Sequence, residues 1–432
     1  MHLGIDFGTS GARAIVIDAE ANIQAEVEYL FAASAFPDWV STWHSALFSL
    51  IAQIPQKLRS QIKAIAIDGT SSTVLLCDRA GNPLAAPLLY NDARSATEIA
   101  ALKEIAPPNH TVLSATSSLA KLLWMTDLPA FADAKYFLHQ ADWLAFLLHG
   151  NLGISDYHNA LKLGYDIEQL NYPTWLTRLP IVNLLPKVLV PGTPMSEVTP
   201  LIADRCGLPR DCVVCAGTTD SIAAFLASGA STPGEAVTSL GSTLVLKLLS
   251  YTRVEDSRFG IYSHRLGNLW LTGGASNTGG AVLRQFFTDE ELRYLSCQID
   301  PAKVSVLDYY PLLKSGDRFP INDPNLSPKL EPRPANKVDF LHGILESIAR
   351  IESRGYQLLQ NLGATKLTNV YTCGGGAINS TWTTIRARHL KVPLVQPVHT
   401  AAAYGTALLA MGGINLGGSG GREQGAEGAE EI

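Results

Sequence analysis

Leu3-Gly4-Ile5-Asp6-Phe7-Gly8-Thr9-Ser10-Gly11-Ala12-Arg13-Ala14-Ile15-Val16-Ile17-Asp18 decides how the rest of the chain is read. An apolar run ends in an acid, a Gly/Thr/Ser/Gly turn follows, and a second apolar run leaves. That order predicts a β-hairpin with a glycine-permissive tip. Successive backbone N–H groups in such a tip form a concave nest for an anion, and the Thr9 and Ser10 hydroxyls add donors. Asp6 stands where the strand enters the turn. A carboxylate beside phosphate is repulsive unless a divalent cation lies between them, so Asp6 points to Mg²⁺ held through water. The alternative is an ordinary hairpin whose acid and hydroxyls satisfy only the turn's own amides.

At 432 residues the chain exceeds one ordinary core, and two or three domains are expected. A hydrophobic content of 47% with 17% charged residues describes a globular, not a disordered, chain. The net charge of −6 and the lack of any Lys/Arg-rich block argue against nucleic acid as a partner. A phosphorylated small molecule is still allowed, because amides and Mg²⁺ cradle phosphate with little basic side chain. No apolar run reaches transmembrane length, so no membrane partner is expected. With a strand from residue 3, no leader peptide is expected either, and the cytoplasm is the expected compartment. Oligomeric state is not readable. Cys212 and Cys215 form a C-x-x-C, but residues three apart on a strand face opposite ways, which predicts two buried thiols.

After the hairpin the spacing predicts a helix over Pro37 to Leu58, a strand over Ile62–Asp68 and another over Val74–Asp78, the start of an α/β layer structure. Helical patterning dominates from Ser118 to Gly150. Strand character returns at Val213 and leads through Gly217-Thr218-Thr219-Asp220 into a helix that stops at Gly229. A second strand–turn–strand follows, Ala236 to Lys247, tipped by Gly241-Ser242-Thr243 and echoing the opening hairpin. The boundary is placed before it, giving domains 1–230 and 231–416 and a disordered Gly/Glu tail over 417–432. Ser305 to Asn336 reads as surface loop, Asp339 to Leu362 as one long helix, Val370–Cys373 as a strand, and Gly374-Gly375-Gly376 as a turn before a helix from Trp382.

Two glycine-tipped hairpins in two half-molecules suggest a clamp on polyphosphate. There is no G-x-x-x-x-G-K-[ST] and no H-R-D or D-F-G set. Gly374-Gly375-Gly376 resembles a dinucleotide fingerprint, yet Leu394-Val395-Gln396 stands where that motif wants an acid. Those glycines better suit close approach to a nucleotide than a dinucleotide fingerprint, with Asn379 as a polar handle and Trp382 as a flat contact for adenine; taken alone, a tight helix-entry turn is the better explanation of them. Asp220, between strand and helix, is the candidate general base, held ionised by the positive helix end. Its alternative role is an N-cap.

The chain resembles the FGGY carbohydrate kinases from about Leu3 to Gly413. Asp6-Phe7-Gly8-Thr9-Ser10 is similar to that family's first phosphate motif, Gly241-Ser242-Thr243 to its second, and Gly374-Gly375-Gly376-Ala377 to its adenosine motif. Ile67 to Thr73 and Tyr90 to Arg94 are similar to segments lining the sugar pocket, and Ala216 to Asp220 to the segment carrying the catalytic aspartate. The resemblance implies two actin-like (ribonuclease-H-like) α/β domains around an ATP cleft. The wording of Asp142-Trp143-Leu144, Asp156-Tyr157-His158-Asn159-Ala160 and Cys215 to Ser221 is closest to a short cyanobacterial and plant subgroup of D-ribulose kinases. Ile378 stands where many members carry Lys, and Tyr90 replaces a usual Trp.

The expected activity is ATP-dependent phosphorylation of a terminal hydroxyl of a ketopentose, D-ribulose first, with D-xylulose or a non-catalytic nucleotide-binding regulator as alternatives. Asp220 would be the base, and Asp6 would position Mg²⁺. Gly8, Thr9, Ser10, Gly241, Ser242 and Thr243 would hold phosphates. Gly375, Gly376, Asn379 and Trp382 would hold adenosine. Ser72 and Ser221, beside Asp6 and Asp220, would touch the sugar.

Overall fold

The computed structural model describes residues 1–32 and 38–413; the Gly/Glu tail expected to be disordered, and Pro37, lie outside them. The opening stretch forms the hairpin, His2–Phe7 antiparallel to Gly11–Ile17 with Phe7 opposite Ala12. A third antiparallel strand, Ile23–Leu30, continues it. That strand went unread in the sequence although Ile23, Ala25, Val27 and Tyr29 alternate with polar residues. The expected helix runs over Trp39–Gln53 and stops at Ile54-Pro55, where proline lacks the N–H the ladder needs; one further turn spans Gln56–Arg59.

The first sheet has the order Ile23–Leu30, Gly11–Ile17, His2–Phe7, Ala64–Gly69, Val213–Cys215, Pro194–Glu197, with Thr218–Thr219 also beside Ala64–Gly69. His2–Phe7 and Ala64–Gly69 are parallel, with Asp6 opposite Asp68, and on the other side Thr218 stands opposite Asp68. Three neighbouring strands therefore end together, which is where parallel sheets build sites. Val74–Cys77, expected in this layer, pairs instead with Tyr136–His139 in a separate ribbon. The turn between, with Ser72 in the left-handed region at φ 63°, leads the chain off the sheet.

The second sheet has the order Tyr262–Leu266, Leu269–Ser276, Leu244–Ser250, Glu235–Leu240, Asn369–Cys373, Leu394–Val395. It repeats the first plan: a glycine-tipped hairpin whose first strand takes a parallel partner on its other side. The two halves are thus one α/β design used twice, as the actin-like duplication requires. Below the second sheet lies the helix Lys337–Asn361, whose Glu352 makes a fully buried bidentate pair with Arg386. The 305–336 segment has no helix or strand, but it does not merely cross the surface, because Tyr309, Leu312 and Phe319 are buried in the core. Cys212 and Cys215 are buried in separate core clusters, and burial raises both thiols, to about 12 and about 11.

The helix Ala402–Gly412 returns to the first half and packs on the helix Asp220–Ala227 and the strands His2–Phe7 and Ala64–Gly69. The expected division put it with residues 231–416. Gly405 permits the crossing, since a Cβ there would lie 1.9 Å from the Ala223 carbonyl oxygen. No helix among the described residues is long and apolar enough to cross a membrane.

Candidate active site

The ends of the first sheet bring three carboxyls together. Asp68 is wholly buried, and its Oδ2 accepts from the Thr406 hydroxyl of the last helix. Burial first, then the Asp6 charge, pushes Asp68 well above the carboxylate range, and its Oδ1 is buried with no hydrogen-bond partner. Asp6 itself is pushed up, chiefly by burial. Asp220 was expected to be held ionised by its helix end, and the N–H groups there do pull that way. It is the first residue of the helix Asp220–Ala227, with Thr219 in the cap position, and its Oδ1 accepts from Ser221 N–H at 2.6 Å. Burial and the Asp6 charge nevertheless raise it to about 6, against the opposing pull of that N–H, Lys247 and Lys162.

Two ammonium groups face these acids. Lys247, on the returning arm of the second hairpin, donates from Nζ to the Ser221 carbonyl at 2.7 Å and so ties the second half to the first. Burial lowers it to about 7, while Asp220 pulls the other way. Lys162, in the turn Leu161–Leu163, acts electrostatically on Asp220, Lys247 and the buried His264. Ser72 Oγ and Thr219 Oγ1 are buried with no protein partner. Buried hydroxyls are nearly always hydrogen-bonded, so each is a candidate contact for a polar ligand. The turn carrying Ser72 is held by Lys121, whose Nζ donates to the Ser72 carbonyl at 2.7 Å and the Leu89 carbonyl at 2.6 Å.

Most residues expected to hold phosphate and adenosine in the second half meet around a cavity of about 660 Å³ lined by Gly241, Ser242, Gly280, Gly375, Gly376, Asn379 and Trp382. That is the size of a small-molecule site. Gly374 (φ 86°) presses on the hairpin tip, and a Cβ there would sit 2.7 Å from the Leu240 carbonyl oxygen. Asn379 caps the helix Ser380–Leu390 by accepting from Trp382 N–H, and its Nδ2 donates to Ser296 Oγ at 2.8 Å. Trp382, expected as a flat contact for adenine, is 1% exposed, with its indole N–H on the Leu345 carbonyl. It is the floor beneath Gly376, and the exposed apolar group at this cavity is Ile378.

Asp6, Gly8, Thr9, Ser10, Ser72, Asp220, Ser221 and Thr243 do not line that cavity; they belong to the acid-bearing end of the cleft and the two tips. Thr9 and Ser10 are exposed at the first tip. The sequence reading missed Lys162, Lys247 and Gly280, and it placed Asp68 only within the sugar-pocket segment Ile67 to Thr73 without singling it out. A signal existed for Asp68, since Ile67-Asp68-Gly69-Thr70-Ser71 repeats the apolar–acid–Gly/Thr/Ser order of the opening motif.

The models of the FGGY family of carbohydrate kinases match residues 1–227 with the N-terminal domain and 237–413 with the C-terminal domain. The chain belongs to this family and is a sugar phosphotransferase. It is 23% identical to a xylulose kinase of Staphylococcus xylosus, covering 94% of this chain and 90% of that protein. It is 26% identical to an autoinducer-2 kinase of Yersinia enterocolitica, covering 96% and 86% respectively. The crystal structure of xylulose kinase from Rhodospirillum rubrum superposes with a TM-score of 0.81 at 21% identity, over 95% of this chain and 89% of that one.

Proposed function

We propose that this kinase transfers the γ-phosphate of ATP to a terminal hydroxyl of a ketopentose, D-ribulose first and D-xylulose as the alternative. The observation that carries the reading is Asp220: a carboxylate at a helix start, tied to Ser221 N–H, raised to about 6 and acted on by the charges of Asp6, Lys162 and Lys247. A base with that pKa is about nine-tenths ionised at pH 7 yet basic enough to take a hydroxyl proton. Ser72, Thr219, Ser221 and Lys162 would hold the sugar. The xylulose kinase relative supports a pentulose.

Gly8 to Ser10 and Gly241 to Thr243 would hold the phosphates from opposite sides, and Gly375, Gly376 and Asn379 the nucleoside, above the Trp382 floor. Asp6, whose charge acts on Asp220, fits a hydrated Mg²⁺, which keeps its waters and takes one or two carboxylates. Asp6 would face it, and the ion when bound would neutralise charge on the transferring phosphate. The division into domains 1–230 and 231–416 belongs to the same proposal, amended by the helix Ala402–Gly412, which packs with the first half; closure of the two would exclude water. ADP release across D-ribulose, D-xylulose, pentitols and glycerol tests it. The highest kcat/KM is expected with D-ribulose. Faster turnover of glycerol or a pentitol than of either ketopentose would overturn the substrate class.

A further inference from the structure

We propose that His158 is a positioning residue for Asp220, through which the second half of the molecule sets where the base stands. The inference rests on the role just proposed for Asp220. His158 lies in the short helix Tyr157–Ala160, is 1% exposed and touches both halves. Its Nε2 is 2.6 Å from the Arg265 backbone carbonyl on the strand Tyr262–Leu266, and its Nδ1 is 2.7 Å from Thr218 Oγ1. A carbonyl only accepts, so Nε2 carries the hydrogen, and Nδ1 is left as the acceptor of the Thr218 hydroxyl. Burial favours the same neutral ring.

The consequence follows from the register. Thr218 stands opposite Asp68 in the sheet and is followed by Thr219 and then Asp220. Its backbone carbonyl is held from the same helix by Asn159 Nδ2 at 3.2 Å, and Asn159 is itself bound to the buried Asp156 at 2.6 Å. The segment 156–159 thus grips the residue two before the base by both side chain and main chain. The Arg265 carbonyl selects the tautomer that makes the side-chain grip, so a shift of the second half is felt at Asp220. Tyr157 strengthens the bridge by accepting from the Gly267 N–H at 3.4 Å.

The test uses the full chain carrying His158→Gln, Thr218→Val or both, with Asp220→Asn beside them, assayed by ADP release with D-ribulose, or D-xylulose where that is faster. His158→Gln keeps a donor for the Arg265 carbonyl and leaves no acceptor at the Nδ1 position facing Thr218; Thr218→Val removes the hydroxyl at nearly constant volume. Each is expected to lower kcat about tenfold or more, since small misplacements of a reacting group cost that much, with KM for sugar and ATP within about twofold. The double variant should be no slower than the slower single, because both break one bond. Should His158→Gln fail to fold, Thr218→Val carries the test alone. Unchanged kcat in Thr218→Val, or losses that multiply in the double variant, would overturn the positioning role. Retained turnover in Asp220→Asn would instead bring down the base assignment and this inference with it.

Discussion

Asp220→Asn should cost the enzyme its activity and make the protein harder to unfold. Removing a general base slows the chemical step by about 10²- to 10⁴-fold, or about 3–5 kcal/mol of transition-state stabilisation. The stability gain comes from the same side chain. Its carboxyl titrates near 3.8 when free and at about 6 in the fold, so the folded chain holds the extra proton between those values. Stability therefore falls as pH rises from about 4 to about 6 and stays lower above that. The full linkage is about 3 kcal/mol; Asp220 is partly open to solvent, so about 1–3 kcal/mol is expected. Asparagine carries no such penalty. Thermal melts of the two proteins should coincide near pH 4 and separate in favour of the variant above pH 6. In wild-type assays kcat/KM should climb about tenfold per pH unit below about 6 and then level. A variant that keeps more than about 10% of kcat, or a wild-type profile flat from pH 5 to 7, would refute the reasoning.

Four further outcomes follow from the same geometry. Lys162→Met removes a charge that holds Asp220 down; kcat/KM for the sugar should fall about 10- to 100-fold, with the rising limb of the pH profile moved to higher pH. Ser72→Gly relieves the left-handed backbone at φ 63° and should raise the melting temperature while raising KM for the sugar; Ser72→Ala should raise KM with no gain in stability. Gly374→Ala puts a Cβ against the Leu240 carbonyl at positive φ and should raise KM for ATP, with about 1–3 kcal/mol lost in denaturant titration. Glu352→Gln leaves Arg386 charged and buried without its carboxylate and should cost about 3–5 kcal/mol, largely recovered by adding Arg386→Met.

Much of the fold was legible because its organising devices are local. Apolar run, glycine-rich Thr/Ser tip and apolar run is a pattern of backbone chemistry over a dozen residues, and it marked both hairpins and the duplicated plan. The long helix Lys337–Asn361 was equally readable from its apolar stripe. The strand Ile23–Leu30 was harder, because at a sheet edge half its residues are polar and its outer glutamates pair with Arg13. The helix Ala402–Gly412 gave no sign of its destination: a small, apolar helix looks the same whichever sheet it returns to.

Residue types at the site could be read from the chain, and their states could not. Asp220 announces itself by standing between strand and helix, but its raised pKa comes from burial and from Asp6 on another strand. Trp382 after a glycine turn reads alike as platform or floor, and only the packing of Gly376 and Leu345 around it makes it floor. Lys162 and Lys247 sit in unremarkable apolar contexts and acquire meaning from the acids they face. The sequence by itself determined the hairpins, the glycine turns and the order of the motifs, since these depend on neighbours along the chain. Which groups are buried, charged or tied across the cleft was decided only by the tertiary structure, because desolvation and Coulomb terms sum over neighbours in space.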